Sequence, residues 1–155
     1  MTEKAEFNAE EWDTIVSGPA SAGAYLITAH KGGTFRETVS LAKAYGEARK
    51  AGGTGLLAQI VSSAPSSPPK GAQTVQEFRQ GALDQLRSAV ELLRERATPE
   101  ENEEYAGFVR DVAHKVAERH KEGGFLGIGG ERVSETERAA LAEIDEVLGA
   151  SGASA

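Results

Sequence analysis

Apolar residues recur at three- and four-residue spacing through most of this 155-residue chain, the spacing that gathers them on one face of an α-helix. Val75, Phe78, Ala82, Leu86, Val90 and Leu93 trace one long helical face. Tyr105, Phe108, Val109, Val112 and Val116 trace another. Phe35, Val39, Ala42 and Tyr45 mark a shorter helix, and Leu141, Ile144 and Leu148 mark the last. The first face begins with Trp12, Ile15 and Val16 and then meets Ser17-Gly18-Pro19. A proline there has no N–H to give and is expected to kink or restart the helix. Residues 20–29 are small or apolar on every side, which predicts a central helix whose Ala22, Gly23 and Ala24 admit close neighbours.

Helix starts are marked as clearly as helix faces. Five capping boxes occur: Asn8/Glu11, Thr34/Glu37, Thr74/Glu77, Thr98/Glu101 and Ser134/Glu137. In each, two side chains three residues apart satisfy N–H groups that the first helical turn leaves without partners. Thr98 is followed by Pro99, the residue favoured at the first helical position. Glycines in 30–33 and 51–53 read as helix ends. A short apolar turn holds Leu56, Leu57, Ile60 and Val61. The Pro/Ser-rich stretch 62–73 is too poor in apolar groups to pack and is expected to be a mobile linker loop. With no second core expected on either side of it, residues 1–149 read as a single helical domain, and 150–155 as a disordered tail. The fold class is all-α, a bundle of about five helices with the first kinked at Pro19.

The stretch GGFLGIGGERVSETE, 123–137, invites a phosphate-binding reading and fails it. A dinucleotide fingerprint requires G-x-G-x-x-G after a strand, but Arg132 stands at the third glycine position and the segment before it reads as helix. A P-loop requires Lys and Ser/Thr after its second glycine, where Gly130 and Glu131 stand. The stretch reads instead as a hinge, with Phe125, Leu126 and Ile128 as an apolar plug. The plug is expected in a groove of its own bundle, with insertion into another subunit as the alternative.

Composition narrows the partners. Seventeen basic against 24 acidic residues give a net charge of −7, which disfavours nucleic acid and anionic lipid surfaces. No apolar run approaches the roughly 18–20 residues that cross a bilayer. The polar opening predicts no secretory signal, and the absence of cysteine excludes disulfides and thiol chemistry. Cytoplasmic residence is the expectation.

Two segments carry a resemblance. FNAEEWDTIVSGPASAG (7–23) and KEGGFLGIGGERVSETERAALAEIDEVLG (121–149) resemble the two ends of a family of small bacterial all-helical proteins to which no activity is assigned. The final V-S-x-x-E pattern and the helix after it are also similar to tellurite-resistance TerB-like helical domains. The resemblance implies an all-helical fold and a bacterial origin, and it brings no active site with it.

Candidate chemistry is sparse. His30 and His120 fall at helix ends, where an imidazolium suits the dipole, and His114 is expected on a solvated face. Asp111-x-x-His114 is one imperfect copy of a di-iron motif that needs two. Glu100, Glu101, Glu103 and Glu104 suit a helix N-terminus, with a divalent-cation site as the competing reading. Arg79, Arg87 and Arg94 edge one helical face and form either core-margin ion pairs or a docking stripe for an acidic partner. No catalytic residue, cofactor, nucleotide or metal site is assigned. The expectation is a non-enzymatic helical protein mediating assembly or partner binding through Phe125, Leu126, Ile128 and these arginines. The alternative is a stress-related protein binding a small ligand or divalent cation.

Overall fold

The computed structural model describes residues 2–29, 35–52, 55–63, 73–123 and 135–149, and all structural statements below concern these. They are almost entirely helical, with no strand among them. After a short 3-10 turn at Lys4–Glu6 come α1 (Ala9–Ala29), α2 (Phe35–Ala51), α3 (Leu56–Ser62), α4 (Val75–Arg96), α5 (Pro99–Gly123) and α6 (Glu135–Gly149). The short apolar turn at 56–61 is thus a helix in its own right. The glycines of 30–33, most of the 62–73 loop, the caps Thr34 and Ser134, the plug residues Phe125, Leu126 and Ile128, and the tail 150–155 lie outside the described residues.

α1 is the central helix and packs against all five others, most extensively against α4 and α5. Its start follows from Asn8, whose Oδ1 accepts from the Glu11 N–H while Glu11 Oε2 accepts from the Asn8 N–H, both at 2.9 Å. Thr98 and Glu101 make the same reciprocal pair at α5. At α4 only half the box closes: Thr74 Oγ1 accepts from Glu77, but the Glu77 carboxylate reaches back to the Gln73 N–H. The end of α2 is set by Gly52, whose φ of +72° is open to glycine at little cost.

α1 runs through Pro19 as one helix, so the proline does not restart it. The Ile15 carbonyl, four residues earlier, cannot receive an N–H from proline. It accepts the buried Tyr105 hydroxyl from α5 instead, at 2.8 Å. The Tyr45 hydroxyl of α2 lies 3.4 Å from the next carbonyl, Val16. Burial pushes both phenols above their ordinary pKa.

Most of the expected faces turn inward. Trp12, Ile15, Val16, Leu86, Leu93, Tyr105, Val109, Val116, Ile144 and Leu148 share one buried cluster. Two positions depart from expectation. Val75 is 64% exposed, because it opens the first turn of α4 before that helix reaches the core, and Ala89 faces in farther along. Ala42 is exposed because the inward face of α2 runs through Leu41, Ala44, Tyr45 and Ala48. That face forms a smaller second cluster with Val61, Phe108 and Val112, clamping α2 and α3 to α5. Tyr45 and Phe108 meet edge to face there at 5.2 Å.

Residues 2–7 form an unforeseen latch. Buried Thr2 donates its N–H to Glu101 Oε1 at 2.8 Å, and Phe7 packs on Trp12. Arg96 spans Glu11 bidentately and lies over the Phe7 ring.

Candidate functional site

The most distinctive chemistry lies where the first two turns of α4 face α1 and α6. There a recess of about 450 Å3 is lined by Tyr25 of α1, Arg79, Gln80 and Leu83 of α4, and Glu143 of α6. Val75 and Gln76 complete the lining. Val75 is an exposed large hydrophobic residue.

Helical spacing brings Val75, Arg79 and Leu83 onto one side of α4, four residues apart. Tyr25 projects toward them from the apolar central helix and is itself buried. The Arg79 guanidinium carbon sits 4.7 Å from the Tyr25 ring centre, and Nη2 donates to the Tyr25 hydroxyl at 3.2 Å. Arg79 Nε is sealed from solvent and donates to no protein atom. Both contacts of Arg79 are therefore with a neutral phenol, and neither offsets its charge.

The other arginines behave differently. Arg87 is exposed and pairs with Asp84 at 3.0 Å. Arg94 is exposed and also has a partner. Eight residues of helix turn Arg87 about 80° away from Arg79, so Arg79 alone of the three lines the recess.

At the start of α5, Glu100, Glu103 and Glu104 are exposed, whereas Glu101 is committed to Thr98 and Thr2. Burial acts to raise the Glu101 carboxyl, but hydrogen bonds from Thr2 and Thr98 outweigh it and hold the pKa at about 2. Glu103 lies 3.8 Å from Arg110, and Asp111 pairs with Lys115 at 3.0 Å. His114 is exposed. Among the described residues no three histidine, aspartate or glutamate side chains converge on a point where a metal would sit. His30 and the His120 side chain lie outside the described set.

Tyr25, Gln80 and Glu143 were not singled out by sequence. A usable signal existed for Tyr25. A tyrosine inside an otherwise apolar central helix needs a partner for its hydroxyl, and Arg79 meets that need.

Fold and recess define an all-α bundle with a mixed-charge surface recess. Comparison with protein-family models, with curated proteins and with solved structures returns no match. Among the described residues no helix is long and apolar enough to cross a membrane.

Proposed function

We propose that this chain is a non-enzymatic helical protein that works by binding a partner, with the recess between α1, α4 and α6 as its contact point. One observation carries this reading: Val75, Arg79 and Tyr25 stand together at the recess. An exposed aliphatic side chain beside an arginine stacked on a tyrosine has the composition of an interaction hot spot, where Arg and Tyr are enriched. The acidic surface, at a net −7, directs that role away from nucleic acid and anionic membranes.

The test compares wild type with Val75→Asp as baits in affinity capture from the native organism, beside light scattering on a sizing column. A partner or a self-associated species retained by wild type and lost by the folded variant supports the reading. An identical set of captured proteins and an identical mass for both baits would reject it. The volume of the recess favours a second reading, a small-ligand site, since ligand pockets run roughly 300–1,000 Å3.

A further inference from the structure

The recess is lined by residues of opposite charge. Arg79 of α4 and Glu143 of α6 both line this space. Several described cations pair directly with carboxylates: Arg96 with Glu11, Arg87 with Asp84, Arg110 with Asp145, Lys115 with Glu47. Arg79 instead rests on Tyr25 with one donor engaged and its Nε sealed without an acceptor. Because Nε faces no solvent, anything held in the recess meets Arg79 through its other guanidinium N–H groups. Tyr25 and Leu83 add apolar surface to the lining, and Gln76 and Gln80 add amides.

We propose that the recess binds a small aliphatic zwitterion, one carboxylate and one ammonium joined by a short methylene chain. The carboxylate is held by Arg79 and the ammonium by Glu143. A planar guanidinium is suited to a carboxylate. Glu143 disfavours a ligand with a second negative charge and supplies the only formal anion among the described residues of the lining. A ligand of zero net charge is also not repelled by a chain of net −7. This inference rests on the small-ligand reading of the recess.

The experiment uses the full chain labelled with 15N and titrates 5-aminopentanoate, pentanoate and pentylamine separately. Amide signals of 75–83 and the Arg79 Nε–H are followed. The expected result is saturable shifts with 5-aminopentanoate at lower concentration than with either singly charged probe. Arg79→Gln should weaken 5-aminopentanoate about tenfold or more, the loss of one charge-assisted pair. Glu143→Gln should weaken it too while leaving pentanoate unchanged or tighter. Far-ultraviolet circular dichroism establishes that both variants are folded. Equal affinity for pentanoate and 5-aminopentanoate in wild type would overturn the zwitterion assignment, as would shifts that persist in Arg79→Gln or no saturable shift with any probe. If no probe binds while Val75→Asp still abolishes capture of a partner, the ligand assignment fails and the partner-binding reading stands.

Discussion

Tyr105 of α5 donates its hydroxyl to the carbonyl of Ile15 in α1 at 2.8 Å, filling the place that Pro19 leaves without an N–H. Gly18 makes this possible. A Cβ at that position would lie 2.0 Å from the Tyr105 hydroxyl oxygen and 3.2 Å from the Ala89 Cβ. Glycine and proline, both poor helix formers, are therefore tolerated mid-helix because a neighbouring helix supplies the missing donor.

Tyr105→Phe should destabilise the fold by about 1–3 kcal/mol, the cost of leaving a buried carbonyl without a partner. Urea denaturation followed by circular dichroism measures it. In a Pro19→Ala background the same substitution should cost less, since the substituted alanine can return an N–H to Ile15. Equal costs in both backgrounds would mean that the phenol is not replacing the proline's lost bond.

Gly18→Ala should destabilise the protein even though alanine is the better helix former by roughly 1 kcal/mol. Its methyl cannot share space with the Tyr105 hydroxyl. Part of the loss should be recovered in Gly18→Ala/Tyr105→Phe, because the closest obstruction is that oxygen. Ala89 and the remaining ring still press at 3.2–3.3 Å, so recovery should be incomplete. A double-mutant cycle reads the coupling, and strict additivity would contradict this geometry.

Much of this architecture was legible because local signals agreed with one another. Asn8/Glu11 and Thr98/Glu101 announce helix starts and close as reciprocal pairs. The face through Tyr105, Val109, Val112 and Val116 is buried throughout. Other features depend on contacts across long sequence separations, which spacing does not encode. Nothing near Tyr105 indicates that its partner lies 90 residues earlier. Val75 keeps the period of α4 yet stands in solvent, because periodicity assigns a face and not where along the helix the core ends. Arg79 was visible as an arginine on a helix edge, but its position over Tyr25 and its recess with Glu143 required the packing of α1, α4 and α6.

Glu101 should make the fold sensitive to acid. Its folded pKa of about 2 lies below the ordinary 4.5. The carboxylate therefore adds stability that is fully present above pH 4.5 and is lost as pH falls toward 2. Discounted for its partial exposure, the contribution is about 1–2 kcal/mol. Comparing wild type with Glu101→Gln by urea denaturation should show a gap at about pH 6 that narrows by about pH 2.5. A gap independent of pH would show that charge is not the source.

The Lys115–Glu47 pair should matter little despite its prominence between α2 and α5. Hydrogen bonding to Lys115 lowers the Glu47 pKa, and the same bond raises that of Lys115. Both side chains are solvent-accessible, so screening and side-chain entropy offset most of what the pair could contribute. Lys115→Met should leave the urea midpoint close to that of wild type. A larger loss that disappears in about 1 M salt would show stronger coupling of α2 to α5 than these exposures imply.

Arg79 and Arg96 should respond differently to the same substitution. Arg96 holds Glu11 with two hydrogen bonds, caps the Glu6 carbonyl and covers Phe7. Arg96→Met removes all of these together and should cost about 1–2 kcal/mol. Arg79→Met keeps an aliphatic stem at this position while deleting a charge without a carboxylate and a sealed donor without an acceptor. It also gives up a cation–π contact and one hydrogen bond to the Tyr25 hydroxyl, together about 1–2 kcal/mol. Relief of the unmatched donor is of similar size, so the variant should be about as stable as wild type. Residues kept for binding often leave stability below its attainable maximum. Parallel urea melts decide the matter. Should Arg79→Met lose as much as Arg96→Met, the guanidinium is there to join α4 to α1, and its place in the recess reflects structure instead of binding.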